Sequence, residues 1–236
     1  MSYEAVLFDL DNTLYPYAPC NEAGKRAALD ALRERGYELD RAAFDELYAT
    51  GRRETKRETG GTAASHSRHV YFKRGLYRQA GEPDVAGALA AGDAYWNGFL
   101  AAMSLCDGVE AVFDALDAAG VDVAVVTNLT TRVQLRKLVR LGVDDRIDLL
   151  VTSEEVGREK PSALPFATAL AELDRRPSEA LAVGDNVETD VAGANAVGLD
   201  SALFVADGDA PADADLSEAR PDHWLDAFAD LTEVAA

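Results

Sequence analysis

The sequence has few of the features that mark secreted or membrane-bound proteins. It contains two cysteines, Cys20 and Cys106, too few for a disulfide framework, and this favours a reducing compartment. No run of about 18 apolar residues occurs, so the sequence predicts no transmembrane helix and no membrane partner. The first residues lack a basic stretch followed by an apolar one, so we expect a cytoplasmic protein without a secretory signal.

Glycine-rich phosphate-binding loops and positive charge are also scarce. Neither a GxGxxG nor a GxxxxGK[ST] pattern occurs, so nucleotide binding through those loops has no support. The chain has 23 Lys and Arg residues against 42 Asp and Glu residues, a formal net charge of −19. An acidic field of this size repels the backbones of DNA and RNA, and we expect no nucleic-acid partner.

The few basic residues are mostly arginines, because only five lysines occur. Carboxylates lie on most of the faces that we predict to be exposed. At low ionic strength such a surface repels itself, and salt screens that repulsion. We interpret the composition as an adaptation to a salty cytoplasm, that is, as a halophilic protein. The alternative is an acidic, well-solvated protein without such an adaptation.

Short apolar runs alternate with helical patterns after residue 107 and indicate an α/β fold. The length of 236 residues suits one large domain, or a core with a smaller insert. Strand patterns cover residues 4–10, 121–127, 147–152, 180–184 and 201–205. Helical patterns cover residues 130–142, 162–173 and 188–197. Such alternation builds right-handed βαβ units, and we predict a doubly wound, Rossmann-like parallel sheet.

Between the first strand and residue 107 the strand pattern is missing. Helical patterns take its place over residues 21–36, 40–59, 67–81 and 84–104. We therefore predict a core domain of residues 1–15 plus 105–236 and an inserted α-helical cap domain of residues 16–104. Near the C-terminus we predict a surface loop over residues 206–222 and a helix over residues 223–234.

Polar side chains lie at or after the ends of four predicted strands. In parallel α/β sheets the ligand site forms at the carboxyl ends of the strands. The residues placed there are Asp9, Asp11, Thr127, Asn128, Lys160, Asp185, Asn186 and Asp190. Each motif alone is an ordinary turn or helix cap, but their occurrence together, in order, favours a functional site.

Carboxylates that crowd at one edge repel one another unless positive charge lies among them. Lys160 supplies one such charge. An all-oxygen ligand set also suits a hard divalent cation, and we predict Mg²⁺. With the charge neutralised, a carboxylate can attack the phosphorus of a bound phosphate. The pattern therefore predicts phosphoryl-transfer chemistry.

Four segments around these residues resemble the four motifs of the haloacid dehalogenase-like hydrolase superfamily. They are residues 8–14, 125–128, 160–161 and 184–190. The resemblance covers nearly the whole chain and includes a helical cap between the first and second motifs, as in members with the first cap type. It implies a Rossmann-like core and an enzyme of the phosphatase branch.

The resemblance also implies catalytic roles for individual positions. Asp9 is expected to be the nucleophile that forms an aspartyl-phosphate. Asp11 is expected to protonate the leaving oxygen and then to activate water. Thr127 and the backbone at Asn128 are expected to bind the phosphoryl oxygens, and Lys160 to balance the charge of the nucleophile and the phosphoryl group.

For the metal, the resemblance implies that Mg²⁺ is bound by Asp9, by the backbone carbonyl of Asp11 and by Asp185. Asn186 and Asp190 are expected just beyond these ligands, with Asp190 near a metal-bound water or the lysine. The members that displace halide lack an acid at the position of Asp11, because halide leaves without a proton. The acid here therefore favours phosphate chemistry.

The sequence thus predicts a Mg²⁺-dependent phosphatase that acts on a small phosphorylated metabolite. A phosphosugar mutase uses the same core and is the alternative, with a 2-haloacid dehalogenase as a more distant one. No pattern indicates an oligomeric state.

One segment of the predicted cap is basic, although the whole chain is acidic. Within residues 51–78 the basic side chains outnumber the acidic ones, Glu54 and Glu58. The basic residues are Arg52, Arg53, Lys56, Arg57, Arg68, Lys73, Arg74 and Arg78. Either the segment recognises an anionic substrate, or its charges pair with neighbouring carboxylates on helix surfaces at little net gain in stability.

The acidic composition predicts that salt stabilises the fold. Between about 0.1 M and about 2 M KCl the Debye length shrinks from about 10 Å to less than 3 Å, so the surface charges repel one another less. We expect the melting temperature to rise steeply over this range. Thermal unfolding followed by circular dichroism measures it, and a flat melting temperature would contradict the interpretation as salt adaptation.

Overall fold

The computed structural model describes residues 3–205 and 219–235. Most of the predicted loop at 206–222 therefore lies outside the described residues. The chain divides into two compact units. The first unit is Met1–Pro16 with Ser104–Ala236, and the second is Tyr17–Met103. Within the described ranges, no helix is long and apolar enough to cross a membrane.

A parallel sheet forms the centre of the first unit. Its described strands are β1 (Ala5–Phe8), β2 (Asp122–Thr127), β3 (Leu149–Thr152), β4 (Ala180–Gly184), β5 (Asp200–Phe204) and β6 (His223–Leu225). They pair in the order β3-β2-β1-β4-β5-β6, with every pair parallel. The predicted doubly wound α/β core is confirmed.

The register brings the ends of the central strands to one edge. Phe8, the last residue of β1, pairs with Val125 of β2 on one side and with Val183 of β4 on the other. Every residue of β1 and β4 is buried, as expected for strands that are covered on both faces. The strand order changes direction beside β1, and α/β folds bind ligands at such switch points.

Helices form the second unit. They are α1 (Tyr17–Glu34), α2 (Arg41–Thr59), α3 (Arg68–Ala80) and α4 (Val85–Ala101). The side chains of Asp40, Ser67 and Asp84 accept hydrogen bonds from backbone N–H groups at the starts of α2, α3 and α4, which stabilises these helix ends. The buried side chains include the aromatic residues Phe44, Tyr48, Phe72, Tyr95 and Phe99.

The first unit carries the remaining described α-helices. They are α5 (Val109–Ala119), α6 (Thr131–Leu141), α7 (Ser153–Val156), α8 (Leu164–Glu172), α9 (Ala192–Asn195) and α10 (Leu231–Ala235). The helix predicted over residues 188–197 is divided, because a π-helical turn at Val187–Val191 precedes α9. That turn follows directly from the site-forming end of β4.

The helix predicted over residues 223–234 is wrong over most of its length, because α10 begins only at Leu231. Residues 223–225 form β6, in which Leu225 is paired with Phe204 and its carbonyl accepts a hydrogen bond from the N–H of Val205 at 3.0 Å. Leu225 is fully buried, whereas Trp224 is 45% exposed. This alternation is typical of a strand, and three residues are too few to distinguish it from a helical pattern in the sequence.

Candidate active site

Asp9 directly follows β1, at the switch point of the sheet. Its backbone N–H donates to the carbonyl of Val183 at 2.8 Å, which continues the pairing of β1 with β4 by one residue. The side chain is 11% exposed. The Nζ of Lys160 donates to Oδ1 of Asp9 at 2.6 Å. The predicted nucleophile and the predicted lysine are therefore in direct contact.

Lys160 is buried and makes three close contacts. Besides Asp9, its Nζ lies 2.7 Å from Oδ1 of Asp190 and donates to the carbonyl oxygen of Val126 at 2.8 Å. Burial lowers the pKa of Lys160, but the carboxylates of Asp190 and Asp9 raise it more, so the pKa lies above that of a free lysine. The ammonium is thus a permanent positive charge at the site.

Asp185 and Asp190 bring two further carboxylates to Asp9. One carboxylate oxygen from each of the three residues lies within 4.8 Å of the others. Gly184 permits this approach, because a Cβ at that position would lie 2.4 Å from Cγ of Asp190. We predicted Asp190 just beyond the metal ligands, near a metal-bound water or the lysine, and its carboxylate contacts Lys160; its place beyond the metal ligands stays a prediction.

Crowding raises the pKa of two of these carboxyl groups. Burial is the main reason that the pKa of Asp9 lies well above its usual range, and the neighbouring carboxylates add to the effect although Lys160 opposes it. Burial, followed by the charge of Asp190, raises the pKa of Asp185 to about 6. Ionisation of all three carboxyl groups would therefore place more negative charge in the cluster than one ammonium group neutralises.

This donor set fits a hard divalent cation. The donors are carboxylate oxygens, they are close together, and their excess negative charge is buried, which is the environment that Mg²⁺ prefers. Asp9 and Asp185 are the side chains that would hold the ion. The carboxylate of Asp11 points instead to Lys137. The ligand role of the Asp11 backbone carbonyl stays a prediction.

Thr127 and Asn128 lie at the end of β2. Thr127 is buried, and its Oγ1 accepts a hydrogen bond from Nε2 of Gln134 at 2.6 Å. The side chain of Asn128 binds the backbone of Lys160: Oδ1 accepts from the Lys160 N–H at 2.8 Å, and Nδ2 donates to the Lys160 carbonyl at 3.2 Å. The Asn128 side chain thus holds the backbone of Lys160 in place. The contact that we predicted between Asn128 and the phosphate involves the backbone of Asn128.

Asn186 lies at the start of the π-helical turn Val187–Val191. Its Oδ1 accepts a hydrogen bond from the backbone N–H of Thr189 at 3.0 Å, which caps the turn. Its own backbone N–H donates to Oδ2 of Asp190 at 3.1 Å. Asn186 therefore holds the turn that carries Asp190, and its side chain makes the capping contact.

Three residues that the sequence analysis did not select hold Asp11. Nζ of Lys137 donates to Oδ1 of Asp11 at 2.5 Å, and Nε2 of Gln134 donates to Oδ2 at 3.3 Å; the hydroxyl of Tyr15 also donates to Oδ1. Burial raises the pKa of Asp11, but the charge of Lys137 and these hydrogen bonds lower it more. The scarcity of lysine was the one sequence signal that pointed to Lys137.

The site therefore combines two differently held carboxylates near each other in sequence. Asp9 is buried against a permanent cation and further carboxylates, and it can attack an electrophile once the charge is balanced. Asp11 has a lowered pKa and separate hydrogen-bond donors, and it can exchange a proton. One nucleophile and one acid–base group are the components that a covalent hydrolysis needs.

Comparisons with known proteins agree with this geometry. The family model for haloacid dehalogenase-like hydrolases matches residues 3–198. A ribulose-1,5-bisphosphate 5-phosphatase of Halopiger xanaduensis is 52% identical over 98% of this chain and 99% of its own length. A glyceraldehyde 3-phosphate phosphatase of Methanopyrus kandleri is 35% identical over 83% of this chain and 81% of its own length. The crystal structure of a 2-haloacid dehalogenase from Pseudomonas syringae is similar to this structure, with a TM-score of 0.75. The two chains are 26% identical, and the match covers 98% of this chain and 97% of the dehalogenase.

The raised pKa of Asp185 predicts that metal binding depends on pH. A protonated carboxyl group is a poor ligand, so the affinity for Mg²⁺ should fall as the pH drops through the value of about 6. Calorimetric titration with Mg²⁺ between pH of about 5 and about 8 measures this. Asp185→Asn should bind weakly throughout, and an affinity of the unsubstituted protein that does not change over this range would contradict the assignment.

Proposed function

The chain belongs to the haloacid dehalogenase-like hydrolases, and from this premise we propose how it acts as a phosphatase: Asp9 takes the phosphoryl group from a small phosphorylated metabolite, and water then releases it. The prediction of a phosphatase is confirmed by the two phosphatase relatives. The observation that carries the mechanism is the buried contact of Lys160 with Asp9 at 2.6 Å. The second carboxylate, that of Asp11, is held by different donors.

In the first step Asp9 attacks phosphorus and the bond to the leaving oxygen breaks. Lys160 balances the charge of the carboxylate and the incoming phosphoryl oxygens. Thr127 and the backbone at Asn128 bind those oxygens. Mg²⁺, when bound by Asp9 and Asp185, supplies the further positive charge that lets two anions approach.

Asp11 moves the protons in both steps. An alkoxide is a poor leaving group, so the leaving oxygen takes a proton from Asp11. The negative charge of the approaching phosphate favours the protonated form of Asp11, because like charges repel. The carboxylate that remains then accepts a proton from the water that attacks the aspartyl-phosphate. The lowered pKa of Asp11 suits this second step, because the base must be ionised.

We propose a phosphorylated sugar as the substrate. Ribulose 1,5-bisphosphate is the first candidate, because the relative named for its cleavage is 52% identical over nearly the whole chain. Glyceraldehyde 3-phosphate is the second. Phosphate release from both compounds, measured with Mg²⁺ and with Asp9→Asn as the inactive control, tests the proposal. A lack of release from any sugar phosphate would contradict it.

The two alternatives have their own readouts. A phosphosugar mutase would form a substrate isomer without free phosphate. The similarity to the Pseudomonas enzyme supports the second alternative, a dehalogenase. A dehalogenase would release halide from a 2-haloacid in the presence of EDTA. The carboxylate of Asp11, which accepts three hydrogen bonds, favours the phosphatase, because halide needs no proton donor.

We also propose that the second unit is the predicted cap, and that the protein works in a salty cytoplasm.

Much of the basic segment of the second unit, residues 51–78, forms surface ion pairs. The pairs are Arg53–Glu46, Arg57–Glu58, Arg74–Glu58 and Arg78–Glu54. Such pairs add little stability, and they support the view that these charges are ordinary surface charges. Arg52, Arg53 and Lys56 of this segment line a cavity of about 610 Å³ together with Lys25, Tyr17 and Tyr48.

The residue on which the phosphatase mechanism depends most is Asp11. Asp11→Asn should slow the cleavage of a sugar phosphate by about 10²–10⁴-fold, the usual effect of losing a general acid–base group. An aryl phosphate leaves without a proton, so its first step should be much less affected. Because water attack is still impaired, rapid mixing should show a burst of phenol followed by a slow steady rate.

The control for the burst is Asp9→Asn, which should release no phenol at all. If Asp11→Asn slows aryl and alkyl phosphates equally and shows no burst, the acid–base assignment of Asp11 is wrong, although phosphatase activity itself could persist.

The cavity of the second unit predicts a substrate-dependent effect on KM. Arg52→Gln combined with Lys56→Gln should raise KM for a sugar bisphosphate at low salt by about tenfold, because two positive charges that attract its phosphates are lost. The kcat should stay nearly constant. Arg78→Gln, which removes a charge paired with Glu54, is the matched control. An unchanged KM in the double variant would show that these two charges do not recognise the substrate.

A further inference from the structure

Lys137 lies in an unusual environment for a lysine on a short helix. It belongs to α6, and its side chain is 1% exposed. Lysine side chains normally keep their ammonium group in water, and burial is tolerated when an opposite charge is in contact. The Nζ of Lys137 meets this condition at Oδ1 of Asp11, at 2.5 Å. A buried lysine is therefore aimed at the acid–base group and not at the nucleophile.

The pair is part of a larger set of contacts around Asp11. Gln134, one turn earlier on α6, donates to Oδ2 of Asp11 at 3.3 Å and to Oγ1 of Thr127 at 2.6 Å. The ring centroid of Tyr15 lies 5.5 Å from the ammonium of Lys137, a favourable cation–π distance. Both oxygens of the Asp11 carboxylate thus have donors, and two of the donors come from α6.

The two buried lysines of the site serve different aspartates. Lys160 contacts Asp9 and Asp190, and Lys137 contacts Asp11. Asp11 therefore does not share the ammonium group that contacts Asp9 and Asp190. A separate lysine keeps the acid–base group and the nucleophile in separate places, as a reaction with two distinct carboxylate roles requires.

We propose that Lys137 is a positioning residue for Asp11: it holds the carboxylate where it can pass a proton to the leaving oxygen and take one from the attacking water. This inference rests on the proposed phosphatase function. Lys137 acts through Asp11, the side chain that its ammonium group contacts. Its loss should therefore affect proton transfer and leave substrate binding nearly unchanged.

The test is a double-mutant cycle with two classes of substrate. Lys137→Gln should lower kcat for a sugar phosphate by about 10–10²-fold, the cost of a misplaced catalytic group, with KM changed less than about twofold. An aryl phosphate should give a burst of phenol with Lys137→Gln, because water attack is impaired as in Asp11→Asn. In an Asp11→Asn background the same substitution should add less than about a twofold loss, because the residue that it positions is already gone. Arg26→Gln, at an exposed residue of α1 outside the basic segment, should leave all rates unchanged.

Two results would overturn the role of Lys137: an equal loss with aryl and alkyl phosphates, or the full loss again in the Asp11→Asn background. If Lys137→Gln does not give a cooperative thermal transition, Lys137→Arg is measured in the same cycle, and the same results decide. The charge-retaining arginine should recover part of the lost kcat. Absence of phosphate release by the unsubstituted protein would instead overturn the proposed function, so the two failures are distinct.

Discussion

The structure depends on holding several carboxylates together where little water reaches them. Asp9, Asp185 and Asp190 place oxygens within 4.8 Å of one another, and such groups repel strongly in a poorly solvated site. The parallel sheet brings them to one edge, Gly184 leaves room for Asp190, and Lys160 supplies the charge that makes the arrangement tolerable. The remaining negative charge is what a divalent cation would neutralise.

The distribution of lysine follows from this constraint. The chain carries a net charge of −19 and five lysines, yet Lys137 and Lys160 are both buried beside the aspartates that follow β1. Elsewhere the surface tolerates many carboxylates because they are solvated and, at high salt, screened. In the site, Asp9 contacts Lys160 and Asp11 contacts Lys137, so the proposed nucleophile and the proposed acid–base group are held by different ammonium groups.

The sequence allowed the core fold and most of the site to be predicted, because strand ends in a parallel sheet are both recognisable and functional. Asp9, Asp185, Asp190 and Lys160 all lie beside motifs at such ends, and the structure brings them together. Lys137 was missed because a lysine on an amphipathic helix ordinarily faces water, and burial is decided by tertiary packing. The strand at 223–225 was missed for a similar reason, since only its partner β5 makes it a strand.

The central claim is that Asp9 carries the phosphoryl group during turnover. The most direct measurement is a rapid acid quench of the enzyme with a sugar phosphate and Mg²⁺, followed by digestion and mass spectrometry. We predict a phosphoryl group on the peptide that contains Asp9, absent when Asp9→Asn is treated in the same way. Phosphate release without any phosphorylated peptide, together with near-normal turnover by Asp9→Asn, would contradict the account.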